Sequence, residues 1–180
     1  YYILLGVLAG FVSLYYARVF KASEKRVHSL KINAYGKAII GGVLLLGIYF
    51  VFPPLFGEGY GSIKLVANGT FTSFTDNTTL FSKLGNNWGI IAFTALIVLV
   101  KPVAAGITIG SGGNGGNFAP SLFVGAYLGF VFSKILNSTP WIKIPESNFS
   151  LAGMAGVLSG VMYSPLTAIF LIAEITNGYE

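Results

Sequence analysis

A glycine-rich stretch, residues 110–117, lies between long apolar runs and limits what this chain can fold into. It reads Gly-Ser-Gly-Gly-Asn-Gly-Gly-Asn, and five of its first seven residues are glycine, so it is a poor helix former. The sequence predicts that a helix begins just after it at Pro120, because proline suits the first turn of a helix. Such a loop of unpaired backbone N–H groups at a helix N-terminus attracts anions.

The composition decides the surroundings of this loop. Hydrophobic residues make up 54% of the 180 residues, charged residues make up 9%, and the mean hydropathy is +0.74. These charges are too few to cover a soluble domain, so we expect a membrane protein. The chain has no cysteine and a single histidine, His28, which excludes disulfides, zinc–thiolate sites and histidine metal clusters. We therefore expect neither a metal nor a cofactor.

Basic residues are concentrated just after the first apolar run, Tyr1–Ala17. Six of the eleven occur there, namely Arg18, Lys21, Lys25, Arg26, Lys31 and Lys37. A basic cluster can bind nucleic acid, but beside a 17-residue apolar run it more simply indicates a cytoplasmic loop under the positive-inside rule. We expect the loop Lys21–Lys37 to be cytoplasmic, with no nucleic-acid partner. The chain begins without an initiator Met or a signal-peptide pattern, so we expect it to be a piece of a longer polypeptide.

The pattern of apolar runs predicts a multi-pass protein with several short or broken helices. The runs after the first are Gly36–Phe52, Trp88–Ile109, Ser121–Leu136, Phe149–Met162 and Pro165–Ile175. Several are too short to cross about 30 Å of hydrocarbon alone. Lys101-Pro102 is expected to kink or end its helix, since proline removes a backbone hydrogen bond. Gly6 and Gly10 predict close packing of the first helix, and Leu55–Asn87 is predicted to form short helices and loops at the outer face.

Other interpretations of the glycine stretch fit less well. Gly110-x-Gly112-x-x-Gly115 matches the dinucleotide fingerprint, but no strand precedes it and no acidic residue follows within about twenty positions. A P-loop is excluded because no Lys-Ser or Lys-Thr follows the glycines. A flexible linker, or glycines used only for packing, would be costly within an apolar region and would not need to end in Phe118-Ala-Pro at a helix start.

Residues 110–125, Gly-Ser-Gly-Gly-Asn-Gly-Gly-Asn-Phe-Ala-Pro-Ser-Leu-Phe-Val-Gly, resemble the signature of CLC chloride channels and chloride/proton antiporters. Gly153-Met-Ala, Ser164-Pro-Leu-Thr-Ala and Glu174-Ile-Thr are similar to late helices of that family. The resemblance covers essentially the whole chain. It implies an all-α membrane protein, a bundle of tilted, broken and re-entrant helices. Residues 1–180 would be the C-terminal half of the transmembrane domain and one of two inverted repeats, without the first repeat and the last helix.

The resemblance also implies a site and a ligand. Backbone N–H groups of Asn117 and Phe118 would bind chloride, the transported ligand, and the protein would not be an enzyme. Amides can replace the hydration of an anion and still release it quickly, as conduction requires. The supporting residues implied are two loop glycines and the helix start, namely Gly115, Gly116, Ala119 and Pro120. The family more often has an aliphatic residue where Asn117 stands, which leaves the preferred anion open.

The partners that the resemblance implies are chloride, the lipid bilayer, the remainder of the same polypeptide and a second copy of the chain. The homodimer would form through the helices near Phe149–Thr176, where Gly156-x-x-x-Gly160 suits close contact. The gating and proton glutamates of the family fall outside the chain, so channel and antiporter are not separated. Another secondary transporter for a small anion, and a membrane scaffold without transport, remain alternatives.

Two ionisable residues in apolar runs allow two interpretations each. Lys101 either attracts anions by raising the local potential or extends its amino group to the membrane interface. Glu174 follows an apolar run, and a carboxylate within a membrane is a functional candidate by default. Because Glu174 lies near a predicted helix end, we expect a structural role for it.

Overall fold

The computed structural model describes residues 1–56, 87–139 and 141–176 of the chain, and these residues form helices and short connections without any strand. The helices are α1 (Tyr2–His28), α2 (Ala34–Val51), α3 (Asn87–Gly110), α4 (Phe118–Asn137), α5 (Glu146–Met162) and α6 (Pro165–Thr176), with a 3₁₀ turn at Pro53–Leu55 after α2. Most of the predicted outer segment, Leu55–Asn87, lies outside the described residues.

Helices α1 to α4 are each long and apolar enough to cross a membrane. Helix α6 has 12 residues, about 18 Å at 1.5 Å per residue, and is too short to cross alone. The predicted all-α membrane architecture is confirmed. The relation of this chain to a second, inverted repeat stays a prediction.

The basic region is helical where the sequence analysis predicted a loop. Helix α1 continues to His28, and only residues 29–33 connect it to α2, so Lys21 and Lys25 are helical, and Lys37 lies in α2. The prediction was wrong because lysine and arginine favour helices. Basic residues in the last turn of α1 also interact favourably with the negative end of its dipole.

Helix α3 passes through Pro102 and ends only at Gly110, so the helix does not end at Lys101-Pro102, and the alternative of a kink there stays a prediction. Proline is tolerated inside membrane helices when neighbouring groups satisfy the backbone that it leaves exposed. The hydroxyl of Tyr15 on α1 donates to the carbonyl oxygen of Leu99 at 3.0 Å, three residues before the proline. The carbonyl that Pro102 itself leaves without a helical donor is that of Val98, so the bond from Tyr15 lies one residue beyond it.

Glycines lie at the closest contacts between helices, but some of these contacts differ from those predicted. Gly125 and Gly129 of α4 lie against the backbone of α5 around Gly153, which leaves no space for a Cβ at any of the three positions. Gly156 and Gly160 of α5 face Ala9 and Ser13 of α1, so this pair is used within the chain instead of at the predicted dimer contact.

The contacts of α1 use a different face from the one predicted. Gly6 and Gly10 have nothing within 4 Å of an added Cβ, although the sequence analysis assigned close packing to them. The buried positions recur every three or four residues on another face, namely Leu5, Ala9, Ser13, Tyr16, Phe20, Ser23 and Val27. This face packs against α3 and α5, because an apolar helix has several faces that could be buried and its neighbours select one.

Candidate functional site

The glycine stretch forms a loop that folds back on the end of α3. The N–H of Gly112 donates to Ile109 O at 3.0 Å, and the N–H of Gly113 donates to Thr108 O at 2.9 Å. Gly112 has a φ of +94°, which side-chain-bearing residues rarely adopt, and a Cβ on Gly113 would lie 2.7 Å from Thr108 O. The conformational need for glycine therefore lies at Gly112 and Gly113, earlier in the loop than the predicted positions.

The predicted loop glycines have room around them. A Cβ on Gly116 would meet nothing within 4 Å, and one on Gly115 would meet only Ile109 Cγ1, at 4.0 Å. Neither glycine has a positive φ. What these two glycines provide is open space beside the loop.

Helix α4 begins at Phe118, two residues before the predicted start at Pro120, with Asn117 at the N-cap position. Pro120 fits in the first turn because an N–H there would have no partner within the helix. The first N–H of this turn with a backbone partner is that of Ser121, which donates to Asn117 O at 3.2 Å. Among the residues described here, the N–H groups of residues 114–119 donate to no protein acceptor.

A cavity of about 430 Å³ lies beside these amides. Its wall combines the glycine loop, the first turn of α4, one side of α3 and a tyrosine of α2. The lining residues are Tyr49, Lys101, Ala104, Ala105, Thr108, Ile109, Asn114, Gly115, Gly116, Phe118, Ala119 and Pro120. The structure thus brings five of the six predicted site residues to one cavity, and Asn117 is the exception.

Lys101 contributes the basic side chain in the cavity wall and is only 4% exposed. Its Nζ donates to Leu55 O at 3.0 Å and lies 4.6 Å from the ring centroid of Phe123. The side chain is therefore buried within the protein, with its amino group bonded near the end of α2. A lysine in the wall of a cavity lined by amides favours anions over cations.

The side chain of Asn117 faces α1 instead of the cavity. The hydroxyl of Tyr16, a residue with no exposed surface, donates to Asn117 Oδ1 at 2.9 Å. This hydrogen bond joins two positions that are 101 residues apart in the chain. The backbone of Asn117 thus remains at the start of α4 while its side chain is held by another helix.

Among the residues that the structure describes, no acidic side chain lines the cavity, although the backbone of Glu24 on α1 packs against Gly110 at the start of the loop. Glu146, at the start of α5, pairs with Lys134 of α4 at 2.9 Å, and Glu174 lies exposed on α6. In residues 1–56, 87–139 and 141–176, no three His, Cys, Asp or Glu side chains come together as a metal site. The cavity is thus suited to hold a small anion through N–H donors.

Two tyrosines at or near the site, Tyr16 and Tyr49, were not predicted from the sequence. Tyr16 lies on the buried stripe of α1, where a three-to-four-residue spacing marks it as inward-facing. Nothing in the sequence pairs it with Asn117. Tyr49 lies on α2, a helix so uniformly apolar that its pattern does not show which face meets α3.

The fold and the site together define a multi-pass membrane protein with an uncapped helix N-terminus beside a cavity whose wall includes one lysine. The chain belongs to the voltage gated chloride channel family, whose model matches residues 1–180.

Curated relatives extend over nearly the whole chain. It is 25% identical to the H(+)/Cl(-) exchange transporter ClcA of Vibrio campbellii, covering 99% of this chain and 35% of that protein. It is 33% identical to the chloride channel protein CLC-e of Arabidopsis thaliana, covering 99% of this chain and 25% of the relative. It is 29% identical to the voltage-gated ClC-type chloride channel ClcB of Salmonella dublin, covering 97% and 38%. The chain thus spans between 25% and 38% of the length of these relatives.

Proposed function

We propose that this chain forms the chloride-binding half of a CLC-type transport protein. Chloride, or a similar small anion, binds to the backbone N–H groups of Asn117 and Phe118 at the start of α4. The observation that carries the proposal is that residues 114–119 leave their N–H groups without a protein acceptor beside a cavity with Lys101 in its wall. Unpaired amides at a helix N-terminus form an anion site without a fixed cation at the ligand.

Family membership supports chloride as the anion, because the relatives named above are called chloride channels or H(+)/Cl(-) exchange transporters. Residues 1–180 then act as the second half of the transmembrane unit, together with the remainder of the same polypeptide. Amides without a full charge bind the anion weakly enough to release it, which both a channel and an exchanger require.

Liposomes that contain the complete polypeptide test the proposal. We expect chloride efflux when the counter-ion current is short-circuited, and no efflux from liposomes without protein. Coupled proton movement against its gradient would identify an exchanger, and its absence a channel. Absence of chloride flux from correctly folded protein would refute the function, and flux of an organic anion in its place would indicate a different transporter.

We propose that residues 29–33, which connect the basic last turn of α1 to the start of α2, face the cytoplasm. The support is charge: basic residues occupy the last turn of α1, and the Lys37 Nζ on α2 donates to His28 O at 2.6 Å. Cytoplasmic connections carry an excess of such residues. This orientation places the Phe56 end of α2 on the opposite side of the membrane.

We also propose that the protein is a homodimer and that α6 forms part of the contact. The resemblance assigns the contact to the helices near Phe149–Thr176, and Gly156 and Gly160 are already occupied by α1. Helix α6 keeps an exposed apolar face with Leu166, Ile169 and Phe170. A disulfide between two copies of an Ile169→Cys variant in membranes would support the contact, and the inward-facing Ala168→Cys is the control. Equal cross-linking of both, or of neither, would refute it.

A further inference from the structure

Asn117 occupies the N-cap position of α4 without capping the helix. Asparagine is among the best N-cap residues, and its side-chain oxygen ordinarily accepts the N–H of the second or third residue of the helix. In α4 the third residue is Pro120, which has no N–H, so Ala119 carries the amide within reach. Asn117 makes no such bond, and its φ of −83° and ψ of −11° are helical values, unlike the extended backbone usual at a side-chain cap.

The oxygen that would cap the helix is bound to α1. Tyr16 donates its hydroxyl to Asn117 Oδ1 at 2.9 Å. Tyr16 is completely buried, and its ring stacks on Phe20 with a centroid distance of 6.1 Å and an interplanar angle of 6°, so packing fixes its position. A hydroxyl buried in this way is strongly disfavoured without a partner, which keeps the bond to Asn117 in place.

We propose that Tyr16 is a positioning residue for the anion site: it holds the Asn117 side chain away from the start of α4 and so keeps the first-turn N–H groups available to the anion. This inference rests on the proposed function, since it takes the start of α4 as the anion site. Once its side chain is released, Asn117 can rotate to the extended backbone of a capping residue, and its Oδ1 then accepts the Ala119 N–H. The negative end of a carbonyl dipole then occupies the place of the anion, and the side chain competes with chloride.

The competition makes Tyr16 and Asn117 energetically coupled in chloride binding. The test is isothermal titration of chloride into the complete, purified polypeptide. Tyr16→Phe removes only the hydroxyl, and we expect it to raise the chloride Kd about fivefold, the worth of one N-cap hydrogen bond. In an Asn117→Val background there is no oxygen to release, so adding Tyr16→Phe should change the Kd by less than about twofold.

The neighbouring tyrosine of the same helix provides a matched control. Tyr15 also donates its hydroxyl to another helix, to Leu99 O at 3.0 Å, and Leu99 lies eleven residues before the loop begins at Gly110. Tyr15→Phe therefore removes a more exposed tyrosine hydrogen bond from α1 and should leave the chloride Kd unchanged.

Two results would overturn the positioning role. One is an unchanged Kd in Tyr16→Phe. The other is an effect of Tyr16→Phe that persists in the Asn117→Val background, because a general loss of packing or folding acts in both backgrounds alike. Failure of the unmodified protein to bind chloride would refute the proposed function itself, and this inference with it.

Discussion

The N–H of Gly113 donates to the carbonyl oxygen of Thr108 at 2.9 Å, and this bond folds the glycine loop against the last turn of α3. The bond directs the chain toward the first turn of α4. The loop before the proposed anion site is thus folded by backbone hydrogen bonds together with the Ser111 hydroxyl, which donates to Thr108 O at 3.0 Å, and its conformation requires particular glycines.

Gly113 and Gly116 should respond differently to alanine. A Cβ on Gly113 would lie 2.7 Å from Thr108 O, so Gly113→Ala should destabilise the protein by about 1–3 kcal/mol. Gly116→Ala meets no neighbour within 4 Å but adds a methyl group to the cavity wall, so it should weaken chloride binding with a stability change within about 0.5 kcal/mol. Thermal unfolding and chloride titration measure the two effects. Equal destabilisation by both changes would contradict the loop geometry.

The role of the Phe118 N–H can be tested by removing it without changing the side chain. Incorporating phenyllactate at position 118 replaces the amide by an ester, which has no N–H donor. We expect the chloride Kd to rise about tenfold or more, since a hydrogen bond to a charged group is worth about 1.5–3 kcal/mol. The same replacement at Phe123, inside α4, is the control and should leave the Kd within about twofold of the unmodified value. Similar Kd values for both esters would argue against the site.

Lys101 should matter for anion binding more than a lysine elsewhere on the same bundle. Lys101→Met removes the basic group from the cavity wall, and we expect chloride affinity to fall about tenfold, or about 1.4 kcal/mol. Lys134→Met is the charge-matched control, because Lys134 pairs with Glu146 at 2.9 Å and lies about 24 Å along α4 from Phe118, at 1.5 Å per residue. Lys101→Arg, which keeps the charge, should recover most of the affinity. An equal loss in both methionine variants would indicate a general effect of net charge.

The orientation of α2 can be measured by cysteine labelling, since this chain contains no cysteine of its own. In the complete protein freed of other cysteines, Ile32→Cys should react with a membrane-impermeant maleimide only from the cytoplasmic side. Phe56→Cys, past the other end of α2, should react only from outside. Both residues are exposed, at 41% and 74%, so a cysteine at either position can react with a reagent on its own side of the membrane. The reverse pattern would show that the positive-inside assignment is wrong.

Those features of the site that depend on residues adjacent in the chain could be predicted from the sequence. An anion-attracting loop at the start of a helix was predicted from three features: the run of glycines, the apolar segments around it, and Pro120. The helix start was predicted two residues late, and the glycine requirement was assigned to Gly115 and Gly116 instead of Gly112 and Gly113. Such errors arise because residue type alone does not determine a backbone angle or which carbonyl a residue contacts.

The amino-acid sequence by itself determined the class of this protein: too few charges for a soluble domain, helices long enough to cross a membrane, and backbone amides gathered at one helix start. Tertiary structure decided which faces of those helices meet. It placed Gly156 and Gly160 against α1, kept Lys101 inside the cavity wall and joined Tyr16 to Asn117. In a uniformly apolar helix the hydrophobic pattern distinguishes one side weakly from another. Contacts across 101 residues therefore depend on shape and hydrogen bonding between helices, which the order of residues in one segment does not contain.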